Sequence, residues 1–202
     1  MKKRFLIFSS IACWPLLASP QTVYNGYEAY YSTQNNLFTT TIASHFSGSR
    51  NAVVHWQGKR IALARAKGFP GEFTVNDDLG SDAKIYERRQ FACIEGQASS
   101  ASGTAVRHIS VYLMETQPNH KIATYKLPSL LASCLGVRLD AFNRPLFDSA
   151  DYIYANELGQ PTGVRLDEYV IDKGKFVPTG HSVALDFVEA ENVWKFRIQS
   201  IK

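Results

Sequence analysis

Val164-Arg165-Leu166-Asp167-Glu168-Tyr169-Val170-Ile171 runs into Asp172-Lys173-Gly174, and two stretches of the same grammar follow, Val183-Ala184-Leu185-Asp186-Phe187-Val188 and Val193-Trp194-Lys195-Phe196-Arg197-Ile198. Short runs of β-branched and aromatic residues, bounded by Gly, Asp and Asn, predict antiparallel strands joined by tight turns. The turns fall at Asp172-Lys173-Gly174 and Glu189-Ala190-Glu191-Asn192. In the last strand Trp194, Phe196 and Ile198 alternate with Val193, Lys195 and Arg197, so one face is expected in the core and one in solvent.

The same pattern extends upstream. Leu37-Phe38-Thr39-Thr40-Thr41-Ile42 reads as a strand, and Ala52-Val53-Val54-His55-Trp56 and Lys59-Arg60-Ile61-Ala62-Leu63 read as a hairpin around Gln57-Gly58. Arg89-Gln90-Phe91-Ala92-Cys93-Ile94 and Val106 to Leu113 flank the small, flexible Ser99-Ser100-Ala101-Ser102-Gly103. In the second of these Ile109, Val111 and Leu113 share a face that should enter the core. Helix is scarce. Ser129 to Leu135 with Gly136 as a stop is one short candidate, and Val23 to Tyr31, with Tyr24, Tyr27 and Tyr31 on one side, is the other. The expected fold is therefore mainly β, an antiparallel sheet or sandwich with one or two short helices and one disulfide.

Composition agrees with a globular chain: 202 residues, 45% hydrophobic and 20% charged, with neither the charge density of a disordered chain nor the cysteine density of a disulfide scaffold. The start differs from the rest. Lys2, Lys3 and Arg4 precede the apolar run from Phe5 to Ala18, broken at Pro15, which is the order of a secretory leader. Residues 1–20 are read as a signal peptide with cleavage near 18–22, and residues 21–202 as a single β-rich domain. The localisation this predicts is periplasmic or secreted. An alternative is a lipobox at Ser10-Ile11-Ala12-Cys13, with a lipid on Cys13 anchoring the protein to a membrane.

Removing the leader changes the charge from +4 to +1, because three of the 22 cations leave and the 18 acids stay. The electrostatic case for nucleic acid goes with them. It also leaves Cys93 and Cys134 as the remaining thiols, an even number in an exported chain, and these are expected to be bonded.

Gly136-Val137-Arg138-Leu139-Asp140 recurs as Gly163-Val164-Arg165-Leu166-Asp167, and Tyr125 matches Tyr152 at the same offset. Two equivalent hairpin units in one sheet are the expectation, since no third copy supports a solenoid.

Chemical motifs are few. Gly180-His181-Ser182-Val183-Ala184 approaches a nucleophile elbow, but a strand follows and no His lies downstream of Ser182. The five histidines lack ligand spacing, so no metal site is expected. Asn76 to Asp82 has oxygen donors without the positions of a calcium loop. No phosphate-cradling glycine loop occurs, and no cofactor is expected. Tyr24, Tyr27, Tyr30 and Tyr31 could anchor a protein partner, or could dock the start of the domain on its own sheet. The function expected is that of an exported, non-enzymatic protein that binds or inhibits a protein partner in the cell envelope, as an immunity or inhibitor protein does. Two alternatives stand beside it: a hydrolase with a site assembled from distant residues, with Asp140, Asp167 and Asp186 as candidate acids, and a structural envelope component.

Overall fold

The computed structural model describes residues 22–39, 41–42, 53–72, 79–80, 82–98, 101–155, 159–189 and 192–199. The leader read over residues 1–20, Cys13 included, and most of the acidic loop at 76–82 lie outside them.

In chain order the elements are β1 (Val23–Asn25), α1 (Tyr27–Tyr31), β2 (Thr41–Ile42), β3 (Val53–Trp56), β4 (Lys59–Ala62), β5 (Lys67–Gly68), β6 (Lys84–Arg88), β7 (Phe91–Gly96), β8 (Ser110–Thr116), β9 (Ile122–Lys126), β10 (Arg138–Leu139), β11 (Pro145–Tyr154), β12 (Pro161–Asp172), β13 (Lys175–Phe187) and β14 (Lys195–Ile198). They form a C-terminal sheet in the order β1-β14-β13-β12-β11-β10, a second sheet in the order β2-β6-β7-β8-β9-β5, and the separate hairpin β3-β4. Pairing is antiparallel throughout except between β5 and β9. The fold is mainly β, as the alternating runs predict.

Two tight turns place glycine at one of their two left-handed positions. Gln57 and Gly58 have φ of 50° and 72°, and Lys173 and Gly174 have 47° and 73°. Positive φ at both central positions matches the right-handed twist of the flanking strands, and glycine adopts it without steric cost.

Three apolar clusters hold the layers together. The first joins the sheets: Phe91, Cys93, Val111, Leu113 and Tyr125 of the second sheet meet Phe147 and Ile171 of the C-terminal sheet. The Cys93–Cys134 disulfide, with Cα atoms 5.8 Å apart, lies within it. The second cluster is on the other face of the second sheet, where Ile85, Ala92, Ile94, Tyr112 and Met114 are covered by Val54, Trp56, Ile61 and Leu63 from the β3-β4 hairpin and the turn after it. The third packs Tyr27, Tyr30 and Tyr31 against Ala150, Val164, Leu166, Leu185 and Phe196. Phe147 and Ala150 are three residues apart on one strand and so face opposite ways. The C-terminal sheet thus buries one face near Phe147 and the other near Ala150.

Several local expectations give way to long-range hydrogen bonding. Leu37 and Phe38 are buried but are not strand, because the Leu37 N–H donates to Val137 O at 2.8 Å and Asn36 bridges to Arg138; only Thr41–Ile42 extends the second sheet. The stretch from Val23 divides at Gly26, whose φ of 89° turns the chain from β1 into α1, so the helix is Tyr27–Tyr31. Ser129 to Leu135 is not an α-helix. Ile109 N–H donates to Ser129 O at 2.9 Å, and Leu131, with φ of 55°, donates to Arg107 O at 2.7 Å, leaving one 3₁₀ turn at Cys134–Gly136. Val106 and Arg107 likewise belong to a 3₁₀ turn, Gly103–Arg107, and the strand starts at Ser110. At the last strand Phe196 and Val193 are buried whereas Trp194 and Ile198 are exposed. For Trp194 the reason is that Lys195 N–H bonds back to Asn192 O at 3.2 Å, so the two-residue period begins only at Lys195; Ile198 is exposed as the last residue of its strand.

The two copies of the five-residue repeat lie in one sheet on either side of β11, but they are not equivalent. Arg138 is opposite Leu146 on the short edge strand β10, and Arg165 is opposite Asp151 within the long strand β12.

Candidate functional site

A cleft of about 800 Å³ opens where the α1 end of the C-terminal sheet meets the second sheet. Its lining is drawn from several segments of the chain. β6 and β7 supply Lys84 and Glu95, opposite each other in register. The chain between β9 and β10 supplies Leu131 and Ser133, the turn into α1 and the helix's first residues supply Gly26, Tyr27 and Glu28, and the approach to β14 supplies Trp194.

The carboxylate at its base is fixed. Glu95 is 5% exposed; its Oε1 accepts from the Tyr86 hydroxyl at 2.8 Å, and its Oε2 accepts from the Ser133 hydroxyl at 2.9 Å and the Cys134 N–H at 2.6 Å. A buried carboxylate needs such donors, because burying it unpaired costs several kcal/mol or more. These bonds also tie β7 to the segment that carries the disulfide. Lys84 Nζ is 3.9 Å from Glu95 Oε1 and 3.1 Å from Glu28 Oε1. The Glu28 hydrogen bond is the main reason the Lys84 ammonium holds its proton above the ordinary lysine range. Lys84 and Glu28 are both about half exposed or more, so an ion pair between α1 and the second sheet stands at the mouth.

One wall is aromatic. Tyr27 and Trp194 meet edge to face with centroids 5.8 Å apart, and Trp194 keeps 39% of its surface in solvent. Val106, from the 3₁₀ turn Gly103–Arg107, also lines the cleft and is 36% exposed. β1 is the edge strand of its sheet, with β14 as its neighbour, and Val23 on it is 43% exposed.

The tyrosines singled out in the sequence are brought together here. Tyr27, Tyr30 and Tyr31 are almost wholly buried and Tyr24 is half-buried, with Phe196 in contact with Tyr24, Tyr27 and Tyr30. The cluster docks α1 on its own sheet, and Tyr27 is the member that also lines the cleft. Burial, followed by the nearby Asp148 charge, pushes the Tyr30 phenol up to about 12 and holds Tyr31 well above its ordinary value.

The candidate acids are not brought together. Asp140 closes the β10-β11 turn, its Oδ1 accepting from the N–H groups of Phe142 and Arg144 at 2.9 and 2.8 Å. Asp167 pairs with Arg165 on the exposed face of β12, and Asp186 is on β13 opposite Gly163. His181 and Ser182 lie within β13 rather than on a strand-to-helix elbow. Among the described residues no group of three His, Cys, Asp or Glu is placed to hold a metal ion, and no helix is long and apolar enough to cross a membrane.

One contact has the ingredients of a hydrolase. His108 Nδ1 is 2.9 Å from Ser129 Oγ, which also donates a short hydrogen bond to Glu72 Oε1. The order is His–Ser–Glu, with the serine in the middle, whereas an activated serine needs the imidazole between serine and acid.

Sequence reasoning missed Glu95, Lys84 and Trp194 as site residues. Glu95 carried a signal, as the single charge in the run Phe91 to Gly96, every residue of which is buried. Comparison of the chain with protein-family models, with curated proteins and with solved structures finds no match.

Proposed function

We propose that this chain is an exported, non-catalytic protein of the cell envelope that binds a protein partner, in the manner of an inhibitor or immunity protein. The observation that carries this reading is the edge strand β1 leading into the aromatic-walled cleft. An extended segment of a partner can add to the edge of β1 through main-chain hydrogen bonds while setting a side chain against Trp194. Tryptophan and tyrosine are the residues that most often anchor such contacts, and the Lys84–Glu28 pair at the mouth offers both signs of charge for a polar rim. The leader read over residues 1–20 and the disulfide support an oxidising compartment outside the cytoplasm. Anchoring through Cys13 would hold the same binding surface at a membrane.

The test is capture of partners from envelope extract with the wild-type protein and with Trp194→Ala. A stoichiometric protein partner retained by the wild type and lost by the variant is the expected result. Failure to recover one under several conditions, or equal recovery by both, overturns the reading.

The hydrolase alternative rests on the His108–Ser129 contact. It requires a serine-directed phosphonate to label the protein at Ser129 and to spare Ser129→Ala. The proposed binding function requires no labelling of either.

A further inference from the structure

Away from the cleft, on the other face of the second sheet, a groove of about 520 Å³ runs between β4 with its following 3₁₀ turn and β9. Lys59, Arg60, Arg65 and Lys121 line it, and Ile61 and Ile122 give it an aliphatic floor. Among the described residues no acidic side chain lines it. The sequence explains this concentration: from Ala29 through Gly71 there is no Asp or Glu, while Arg50, Lys59, Arg60, Arg65 and Lys67 fall within that stretch. Nearly balanced charge in the chain after its leader therefore conceals a strongly polarised surface.

The groove is held open by the fold. Lys59 Nζ donates a short hydrogen bond to His120 O, and Thr116 Oγ1 donates to Gln57 Oε1 at 2.8 Å. These bonds join the tip of the β3-β4 hairpin to the β8-β9 turn, so the walls stand in place before any ligand arrives. Packing beneath them is equally firm, with Trp56 and Ile61 buried against Met114 and Tyr112. Like charges gathered without acids raise the local potential and repel one another. Nothing in the packing of this hairpin requires exposed cations at Arg60, Arg65 and Lys121.

We propose that this groove binds an acidic glycan chain, one bearing sulfate, phosphate or carboxylate groups at intervals along its length. Four cations call for a ligand with several anionic groups. Concavity disfavours a flat bilayer, which would meet only the rims. Among the described residues no aromatic side chain lines the groove, so the base stacking that single-stranded nucleic acid uses is not provided. An aliphatic floor between cations suits the C–H faces of sugar rings with their acidic substituents turned to the walls. This site is separate from the proposed protein-binding cleft, and either can fail without the other.

The test uses the whole protein and a heparin octasaccharide as probe, with affinity measured by calorimetry between 50 and 300 mM salt. Arg60→Gln combined with Lys121→Gln is compared with Arg165→Gln combined with Arg197→Gln, which removes the same charge from the C-terminal sheet. The expected result is binding that weakens steeply with salt, falls at least tenfold in the groove variant and stays within twofold in the other. Thermal midpoints show that both variants are folded. If the groove pair fails to fold, Arg65→Gln with Lys121→Gln takes its place. Absence of binding at 50 mM salt overturns the proposal, as does equal weakening in both variants. So does tighter binding to a twelve-nucleotide oligothymidylate or to phosphatidylglycerol vesicles than to the glycan.

Discussion

The Arg138 guanidinium holds Asp148 with both of its terminal nitrogens, Nη1 to Oδ2 at 2.9 Å and Nη2 to Oδ1 at 2.7 Å, and reaches Glu168 Oε2 at 3.1 Å with Nη2. Burial by itself would lower the Arg138 pKa, but its bonds to Asp148 and Glu168 outweigh burial and keep it firmly charged. The Arg138 and Asp148 side chains are 14% and 8% exposed, whereas Arg165, at the matching position of the repeat, is 53% exposed beside Asp167 and Asp151. Removing one member of a buried pair strands the other, so Arg138→Ala is expected to cost about 3 kcal/mol. Arg165→Ala should cost less than about 1 kcal/mol. Urea denaturation of the two variants checks this, and equal losses would mean that the two copies of the repeat have equivalent roles.

The disulfide closes a loop with a sequence separation of 41 between two fully buried cysteines. Constraining the unfolded chain over a loop of that size contributes about 4 kcal/mol in the entropy model. Replacing both cysteines with Ala should lower the urea midpoint by a corresponding amount. The loss should be larger for Cys134→Ala with Glu95→Gln added, because the Cys134 N–H and the Ser133 hydroxyl then lose a charged acceptor.

What the sequence reveals and what it hides divide along the range of the interactions. Gln57-Gly58 and Lys173-Gly174 were readable as hairpin turns because Gly58 and Gly174 supply the positive φ such a turn needs locally. Val111 and Leu113 were readable as core because the two-residue period is local as well. The disulfide followed from the even number of cysteines left once residues 1–20 are read as a leader. By contrast Ser129 to Leu135 looks helical in isolation, yet it bonds to Arg107 and Ile109, twenty or more residues away in sequence. Glu95 meets Ser133 and Cys134 at comparable range, and Trp194 reaches the cleft only because β14 pairs with β1 at the start of the chain. Three of the groove's four cations, Lys59, Arg60 and Arg65, are legible in the acid-free stretch; Lys121 joins them only through the fold.

Glycine makes two backbone approaches that no other residue permits. A Cβ on Gly163 would lie 2.3 Å from Leu185 O, and one on Gly96 would lie 2.1 Å from Leu79 O. Both obstacles are backbone, so the strand itself must shift. Gly163→Ala and Gly96→Ala should each cost about 2 to 3 kcal/mol in overpacking strain. Gly68→Ala is the control: nothing lies within 4 Å of its added methyl, and the change should stay within about 1 kcal/mol of neutral. Thermal unfolding of the three variants is the measurement, and a tolerated Gly163→Ala would contradict the close approach of β12 to β13.

The buried tyrosines predict how the fold responds to alkali. Burial raises the phenols of Tyr27, Tyr30 and Tyr31, Tyr30 to about 12, whereas in the unfolded chain they lose their protons near pH 10. Between those limits the folded state binds more protons than the unfolded one, so stability is intact below about pH 10 and falls as pH rises toward 12. Absorbance at 295 nm should show part of the ten tyrosines ionising together with loss of circular dichroism, not ahead of it. Tyr27 refines the prediction, because its hydroxyl is buried without a hydrogen-bond partner among the described residues. Tyr27→Phe removes an unsatisfied donor while keeping the ring against Phe196 and Trp194, and should raise stability at neutral pH by up to about 1 kcal/mol. It should also make the alkaline loss shallower. A destabilised Tyr27→Phe would show that the hydroxyl has a partner after all, with Arg107 and Tyr152, the charged and phenolic groups nearest to it electrostatically, as the first to examine.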